Sequence, residues 1–496
     1  MGVWYRYGQE FNSGALVTQG SRCAGNPSVR FEEAASSGEV RGAGRGFAKP
    51  TTQLFEASNR LRSRAHSLIP GGSHTYAKGD DQYPILAPGF IVRGFGAHVW
   101  DADGNEFIEF GMGNRSVGLG HAYPAIVEAA RAEMANGCNF TRPATIEVAA
   151  AEQFLSLVGT AEMVKFCKDG SDATSGAVRL ARAYTGRDLI AICGDHPFFS
   201  VDDWFIGSTA MNAGIPAATQ ALTLKFRYNA IASVEALFDE HPGQIAACIL
   251  EAARTQEPRD NFLEDLQRLC HANGALLIFD EMITGFRWHR SGAQKYYGVT
   301  PDLSTWGKAL ANGFSVSALA GKREFMRLGG LDHYDKPRAF LLSTTHGGET
   351  HALAAAIATM QIYRSEPVIE HLYRQGTRLK TEGDEVIRRH GLTEHVRFVG
   401  KPCCLLYETL DAGKTPSQVF RTLFLQETIR RGALMPSLVV AYSHTDEDID
   451  RAIDAIDGAL EVYKRALDEG PERYLVGRPS QMVYRHYNQP DPPPQT

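Results

Sequence analysis

Hydrophobic positions in the middle of the chain follow two different spacings in turn. One set of segments places apolar residues three or four positions apart, which is typical of amphipathic helices. Between these segments lie short apolar runs, which are typical of strands buried on both faces. The pattern predicts helices at 123–136, 143–158, 172–185, 232–240, 260–273 and 351–364, and strands at 163–167, 189–193, 246–250 and 275–279. We therefore predict an α/β fold in which helices cover a mostly parallel sheet, with ligands bound beyond the carboxyl ends of its strands.

The pattern changes on both sides of this region. Towards the N-terminus a helix is predicted at 53–67 and two or three strands at 86–110, with an Asp-Gly turn. Past residue 360, short strands lie between two helices, the last at 447–466. We accordingly divide the chain into five parts. A disordered, Gly- and Ser-rich N-terminal extension (1–48) is followed by a segment that contributes to a small domain (49–110), a large domain (111–355), a C-terminal small domain (356–470) and a tail (471–496). The proline-rich residues 490–494 of the tail are predicted to be disordered.

Composition and charge narrow the possible functions. The 496 residues are 43% apolar and 22% charged, which is ordinary for a globular protein with a large core. A formal net charge of −6 argues against a nucleic-acid partner, and no apolar run approaches the ~18 residues of a membrane helix. The eight cysteines form no CxxC or Cys/His metal spacing, and the N-terminus shows no secretory signal. We expect a cytoplasmic protein without a metal site that binds neither nucleic acid nor membrane.

A carboxylate at a strand end and a lysine among small residues form the most informative pair. Asp280 ends an apolar run, and Lys308 follows 28 positions later between Gly307 and Ala309. Pyridoxal 5'-phosphate (PLP) needs both groups, since a lysine amine forms a Schiff base with its aldehyde and a carboxylate keeps its pyridine nitrogen protonated. Taken singly, a lysine is usually a solvated surface charge, and an aspartate at a strand end is often a turn former. Together they predict an enzyme that moves electrons and protons at an amine carbon.

Other polar groups are predicted to lie at the same edge of the sheet. Gly170 and Ser171 follow a strand and begin a helix, where N–H groups, a hydroxyl and the helix dipole suit an anion, although an ordinary capped turn would look the same. Ser343–Glu349 is a second Gly- and hydroxyl-rich turn before a helix, and is equally consistent with a plain N-cap. Glu251 closes one strand and His196 follows another, although a lone histidine is usually structural.

These residues belong to a longer stretch that resembles a known family. From about residue 50 to 466 the chain looks like a class-III, fold-type I PLP-dependent aminotransferase, of the branch that contains glutamate-1-semialdehyde aminomutase. This resemblance implies a large domain with a helix-covered sheet, a smaller α+β domain, and a homodimer whose active sites are shared. The most specific block runs Phe279-Asp280-Glu281-Met282-Ile283-Thr284-Gly285-Phe286-Arg287, continues through 292–303 and ends at Gly307-Lys308-Ala309.

The resemblance implies a role for each residue that would hold the cofactor. Lys308 would form the Schiff base and then shuttle a proton between the substrate carbon and the cofactor carbon. Asp280 would pair with the pyridine nitrogen. Gly170 and Ser171 would hold the phosphate through backbone and hydroxyl groups, and Thr345 would reach the phosphate of the neighbouring subunit.

The expected surroundings of the ring depart from the family pattern. Met282 lies where the family usually has a small branched residue against the ring face, and Glu251 matches the strand-end glutamate near the cofactor. Asp195 occupies the position of the aromatic residue that stacks on the ring. Stacking is therefore expected from His196, from a nearby phenylalanine, or from neither.

The substrate side departs further. Lys78 stands where the aminomutases have an arginine after an N-terminal Gly-Gly, and 113–116 replaces a Trp-Gly-Pro run. We therefore take Arg115 and Lys78 as candidates to bind an anionic group of the substrate, with surface charge an equally good interpretation. The departures favour a substrate other than glutamate-1-semialdehyde.

Several functions remain compatible with these residues. We predict an aminotransferase that moves an amino group from an amino donor to a ketone or aldehyde acceptor. An aminomutase of the glutamate-1-semialdehyde type, a racemase or a decarboxylase would use the same cofactor residues, and a non-catalytic homologue acting as a scaffold is a further alternative. A nucleotide-binding α/β protein is disfavoured, because neither GxGxxG nor GxxxxGKS/T follows a strand.

Overall fold

The computed structural model describes residues 55–332 and 335–488, so the predicted extension 1–48 and the proline-rich residues 490–494 lie outside the described residues. The helices of more than one turn are α1 (Glu56–Leu68), α2 (Pro124–Met134), α3 (Thr145–Val158), α4 (Gly170–Thr185), α5 (Ile231–Glu240), α6 (Phe262–Ala272), α7 (Gly292–Tyr297), α8 (Thr350–Ser365), α9 (Val368–His390), α10 (Gln418–Ile429) and α11 (Asp446–Glu469). The strands are β1 (Ile91–Phe95), β2 (His98–Asp101), β3 (Glu106–Glu109), β4 (Met163–Cys167), β5 (Leu189–Cys193), β6 (Thr223–Phe226), β7 (Ile245–Leu250), β8 (Leu276–Asp280), β9 (Leu303–Trp306), β10 (Ser317–Gly321), β11 (Val396–Val399), β12 (Leu406–Thr409) and β13 (Ala433–Leu434).

A seven-stranded sheet forms the centre of the fold, in the order β4-β10-β9-β8-β7-β5-β6. Only β10 runs against its two neighbours, and the other pairs are parallel. The middle strands β7 and β8 are buried along their whole length, as expected when helices cover both faces. The predicted α/β fold with a mostly parallel sheet is therefore confirmed. The carboxyl ends of β4, β5, β7, β8 and β9 meet at one edge, since β10 opposes both β4 and β9.

The predicted elements agree with the structure where the apolar pattern is strong. The strands predicted at 163–167 and 189–193 have the observed bounds, and each predicted helix is found within three residues of its expected ends. Sequence analysis missed β6, β9 and β10, which are short and contain polar or small residues such as Ser304 and Thr305. In β9 these polar residues are satisfied inside the sheet, since Ser304 accepts a hydrogen bond from Trp306 Nε1 at 2.9 Å.

A second, four-stranded sheet has the order β1-β2-β3-β13. Its β2–β3 connection is the predicted Asp103-Gly104 turn, in which Gly104 has a φ of 85°. The Asp103 carboxylate also accepts from the backbone N–H groups of Ala57 and Ser58, which ties the start of α1 to this turn. Strand β13 pairs in parallel with β3 and so joins the two ends of the described chain. This pairing supports the proposal that 49–110 and 356–470 contribute to one small domain.

No helix in the described part of the chain combines the length and the apolar character needed to cross a membrane.

Close packing inside the C-terminal region leaves no room for a side chain at Gly376. This residue lies in the middle of α9, and a Cβ atom there would collide with the backbone carbonyl oxygen of Pro402. We expect Gly376→Ala to lower the free energy of unfolding by about 1–3 kcal/mol, although alanine is the better helix former by about 1 kcal/mol. Thermal unfolding would measure the loss, with Gly413→Ala in an exposed turn as the control. A variant as stable as the wild type would contradict this account of the packing.

Candidate active site

A buried carboxylate and an amine meet at the carboxyl edge of the large sheet. Asp280 is the last residue of β8 and is 3% exposed. Its Oδ1 accepts hydrogen bonds from Met282 N–H at 3.0 Å and from Thr305 Oγ1 at 3.1 Å, while Oδ2 accepts none from the described residues. Lys308 lies two residues after β9, with a φ of 45° in the left-handed region, and is half-buried. The carboxylate is thus fixed through one oxygen and offers the other.

Burial and the local charges shift the pKa of both groups. Burial raises the pKa of Asp280 to about 7, the Lys308 cation opposes this, and the Glu251 carboxylate adds to it. Burial also lowers the pKa of Lys308; Asp280 and Glu251 oppose that shift, whereas the guanidinium groups of Arg115 and Arg287 increase it. A lysine with a lowered pKa gives up its proton more readily, and the neutral amine is able to act as a nucleophile and as a proton carrier.

Two glycines allow the Met282 side chain to pack between the turns that follow β4 and β9. A Cβ atom on Gly170 would lie 3.0 Å from Met282 Sδ. A Cβ atom on Gly307 would lie 2.7 Å from the same sulfur and would collide with Ser317 Oγ. Any larger residue would therefore push the two turns apart. Met282 is 6% exposed, and its sulfur lies close to both turns.

The turn at the start of α4 offers fewer anion-binding groups than the sequence suggested. The backbone N–H groups of Ser171 and Asp172 donate to the Asp169 carboxylate at 2.8 and 3.1 Å, so they are already capped. Ser171 Oγ accepts from Val201 N–H at 3.1 Å, which leaves its own hydrogen free to donate. The N–H of Gly170 has no acceptor among the described residues. This cap was missed, although the spacing of Asp169 and Asp172 matches that of a capping box.

Glu251 and His196 form a connected pair at the ends of β7 and β5. The backbone N–H of Glu251 donates to His196 Nδ1 at 3.1 Å, and burial lowers the pKa of His196, so the ring is neutral with its hydrogen on Nε2. Glu251 is 2% exposed; Oε1 accepts from Arg254 at 3.1 Å and Oε2 has no partner among the described residues. Sequence analysis missed Arg254. Asp195, in contrast, is exposed and turns towards the Tyr228 N–H at 2.8 Å.

The remaining predicted residues differ in how they relate to this site. Arg115 influences the pKa of Lys308 and is therefore close to it, and its guanidinium has no hydrogen bond or ion pair with the described residues. Lys78 is exposed at the end of a 3-10 turn, without a described contact to the other candidates. Thr345 lies in an exposed loop, where its carbonyl accepts from Asn139 at 2.9 Å. Its expected role at a neighbouring subunit stays a prediction.

The fold and this pairing of lysine with a strand-end carboxylate define a fold-type I PLP-dependent enzyme. Residues 76–197 and 199–460 match the family described as aminotransferase class-III, and the chain belongs to that family. The resemblance stated from the sequence is thereby confirmed.

Individual relatives cover nearly the whole described chain. Glutamate-1-semialdehyde 2,1-aminomutase of Acetivibrio thermocellus is 35% identical over 427 residues, 80% of this chain and 96% of the relative. 3-aminobutyryl-CoA aminotransferase of Cloacimonas acidaminovorans is 32% identical, over 83% of this chain and 98% of its own. Among solved structures, the PLP internal aldimine form of the FumI protein of Sphingopyxis sp. MTA144 has a TM-score of 0.76 at 30% identity, covering 84% of this chain and 99% of that one. An omega-transaminase from Sphaerobacter thermophilus has a TM-score of 0.74 at 25% identity, covering 82% and 98%.

Class-III aminotransferases use PLP, and the residues at this edge fit that cofactor. Asp280 Oδ2 is an unused acceptor beside Lys308, which suits a protonated ring nitrogen. The Gly170 N–H and the Ser171 hydroxyl are unused donors, which suit a phosphate. When bound, PLP supplies an electron-withdrawing ring that stabilises negative charge on the carbon bearing the amine.

The raised pKa of Asp280 predicts how the stability of the cofactor-free protein depends on pH. A folded pKa of about 7, above the ordinary value of 3.8, means that the folded state binds the proton more tightly. This contribution is present below about pH 4 and is lost as the pH rises through 7, by up to roughly 4 kcal/mol. Asp280→Asn keeps the acceptor for Met282 and Thr305 but does not titrate.

We therefore expect the cofactor-free Asp280→Asn variant to gain stability relative to the wild type between pH 5 and pH 8. Denaturation midpoints of both proteins at the two pH values would show this, because other titrating groups cancel in the comparison. A difference between the two proteins that did not change with pH would show that Asp280 titrates normally.

Proposed function

We propose that this chain is a PLP-dependent aminotransferase that moves an amino group from an amino donor with an anionic group to a ketone or aldehyde acceptor. The observation that carries the proposal is the arrangement around Lys308. The buried carboxylate of Asp280 raises the pKa of the Lys308 amine and the guanidinium of Arg115, which has no hydrogen-bond or ion-pair partner among the described residues, lowers it, so both charged groups act on the same amine. The first can hold the proton of a pyridine nitrogen, and the second can bind a carboxylate of the substrate.

Lys308 would do the proton transfers of the reaction. Because burial and two neighbouring guanidinium groups lower its pKa, its Nζ can take a proton from the carbon that bears the amine and return it to another atom. Asp280, kept charged by its proton-bearing partner, would hold the ring nitrogen protonated through Oδ2. The Gly170 N–H and the Ser171 hydroxyl would fix the phosphate, and Met282 would support the ring from below.

We place the anionic group of the substrate at Arg115 rather than at Lys78. Arg115 is close enough to Lys308 to change its pKa, whereas Lys78 is exposed and has no described contact with the site. Glu251 would limit the space on the opposite side, since its Oε1 is held by Arg254 and its Oε2 is unused. A substrate amine would be attracted to that second oxygen.

We further propose a homodimer with shared active sites. Thr345 is exposed on a loop, so its hydroxyl is available to reach the phosphate bound by a second copy. The compartment we propose is the cytoplasm, because the described cysteines are all free thiols.

An aminomutase of the glutamate-1-semialdehyde type is the second candidate. It is supported by the names of several relatives, of which the one from Geotalea daltonii is 32% identical over 98% of its length. Both reactions would use Lys308 and Asp280 in the same way. The aminotransferase is preferred because Lys78 and 113–116 depart from the aminomutase pattern.

Replacing Lys308 tests the central assignment. We expect Lys308→Ala to bind PLP without the visible band of the cofactor–lysine adduct and to lose turnover by at least about 10³-fold, the scale of a lost nucleophile and base. Lys295→Ala, an exposed lysine of α7, is the matched control and should behave as the wild type. Full activity in Lys308→Ala would remove this residue from its role.

The type of reaction is tested with the wild-type protein and a panel of donors that includes glutamate and alanine. Bleaching of the visible band by one donor, followed by amine transfer to added pyruvate or 2-oxoglutarate, is the expected result. Rearrangement of glutamate-1-semialdehyde without any added acceptor would instead establish the aminomutase. No visible band even with added PLP would favour a non-catalytic scaffold.

A further inference from the structure

We propose that Arg287 is a positioning residue that holds the strained turn carrying Arg115, and thereby sets the preference of this enzyme for substrates with a carboxylate. The inference rests on the proposed function, since it concerns the same site. Arg287 ends the most specific block of the sequence and was given no function by sequence analysis. In the structure it connects that block to the segment that differs from the relatives.

The turn that carries Arg115 has an unusual backbone. Met112, Gly113, Asn114 and Arg115 have φ angles of 42°, 56°, 55° and 70°, so four consecutive residues lie in the left-handed region. Only glycine adopts this conformation without a steric cost, and runs of it are rare. Strained backbone persists where the surrounding structure imposes it, commonly at functional sites. The contacts that impose it here are therefore of interest.

Arg287 supplies one of these contacts from the interior of the protein. It is 0% exposed, its Nη2 donates to the carbonyl oxygen of Arg115, and its Nη1 donates to Ile283 O at 3.3 Å. No carboxylate pairs with it among the described residues, and its Nε has no partner there. A buried guanidinium without a counter-ion is costly. A role of this charge and of the hydrogen bond to Arg115 in the active site would account for that cost.

Asn312 holds the other end of the same segment against the lysine turn. Its Oδ1 accepts from Leu119 N–H at 2.9 Å and its Nδ2 donates to Gly120 O at 2.9 Å. Between the two clamps, Gly118 packs so closely that a Cβ atom would lie 2.5 Å from the Tyr363 hydroxyl. The backbone from Arg115 to Gly120 is thus fixed relative to Lys308, which lies four residues before Asn312.

The side chain of Arg115 is left without a partner by this arrangement. Its backbone is held by Arg287, while its guanidinium acts electrostatically on Lys308 and has no acceptor among the described residues. Four charged groups act on Lys308: Asp280 and Glu251 favour its protonation, and Arg115 and Arg287 oppose it. A carboxylate bound at Arg115 would neutralise one of the two opposing charges. Binding of an anion should therefore shift the pH at which the Lys308 nitrogen loses its proton, and in the PLP-loaded protein, where that nitrogen would be bonded to the cofactor, the visible band reports this pH.

The experiment titrates the PLP-loaded protein with butanoate and, separately, with butanamide, which has the same shape but no charge. The visible band of the bound cofactor is followed at several pH values, which yields the affinity for each ligand and the pH midpoint of the band.

The variants are Arg287→Met, which removes the donors, Arg287→Lys, which keeps the charge, Arg115→Ala, and the double variant Arg287→Met with Arg115→Ala. Arg187→Met is the matched control, because Arg187 also donates to two backbone carbonyls, Ile245 O and Asn273 O, at the opposite edge of the sheet.

We expect Arg287→Met to weaken butanoate binding about tenfold, the scale of a charge-assisted hydrogen bond, and to leave butanamide unaffected. The pH midpoint should rise in Arg287→Met and remain near the wild-type value in Arg287→Lys. In the Arg115→Ala background, Arg287→Met should cause no further loss for butanoate, because the two residues act as one unit. Arg187→Met should match the wild type.

Unchanged butanoate affinity in Arg287→Met, or independent and additive losses in the double variant, would overturn the proposal. Equal weakening for butanoate and butanamide would do the same, since that is what general structural damage produces. If Arg287→Met does not fold, the Arg287→Lys variant decides the question. One ammonium cannot hold both the Arg115 and the Ile283 carbonyl oxygens as the guanidinium does, so this variant should still weaken butanoate binding selectively. A wild type that binds butanoate at Arg115 but transfers no amine would refute the proposed function and leave this inference intact.

Discussion

The burial of charge at the carboxyl edge of one sheet is the constraint on which the rest of this structure depends. Asp280 and Glu281 are adjacent, and the alternation of side chains along a strand sends their carboxylates to opposite sides. Glu281 is satisfied completely by structure: it accepts from the Thr284 hydroxyl and from the N–H groups of Ala293 and Gln294 at 2.8 Å. Asp280 is satisfied through one oxygen only. Two adjacent carboxylates thus differ in their partners: Glu281 is a structural anchor, and Asp280 keeps one oxygen available for the proposed cofactor contact.

Close packing is the second requirement, because it fixes the turns that carry these groups relative to one another. Met282 reaches both Gly170 and Gly307, and each glycine is needed where it stands because a Cβ atom would meet the sulfur. The turn after β4 and the turn after β9 therefore share one side chain, although 137 positions separate the two glycines. An ion pair between Lys168 and Glu349, together with the hydrogen bond from Ser315 Oγ to Lys168 O at 2.9 Å, joins the first turn to the start of α8 and to the segment after Lys308.

The sequence predicted those parts of the site that follow from local patterns. Asp280 and Glu251 were found because they end apolar strands, and Lys308 because small residues surround it. The contacts that complete the site were not predictable in this way. Arg287 and Arg115 are 172 positions apart, and nothing in their spacing indicates that the side chain of one holds the backbone of the other. The Asp169 cap was missed for the opposite reason: a capping box was readable, but the same residues also suited a phosphate. Strands β9 and β10 were not predicted because they are short and contain polar or small residues; Thr305 of β9, for example, donates to Asp280, which only the fold brings near.

In the proposed reaction, the balance of charges around Lys308 would connect substrate binding to proton transfer. Two carboxylates and two guanidinium groups act on one amine, so its pKa is the outcome of opposing effects and not of burial alone. A ligand that occupies Arg115 changes one side of this balance, and the amine then holds its proton more tightly. The amine would thus lose its proton more readily before an anion occupies Arg115, and would hold it more tightly afterwards. In this arrangement the buried charge of Arg287 would do more than hold a turn. It lowers the pKa of Lys308 and so opposes the effect of Asp280 and Glu251, whether or not Arg115 is occupied.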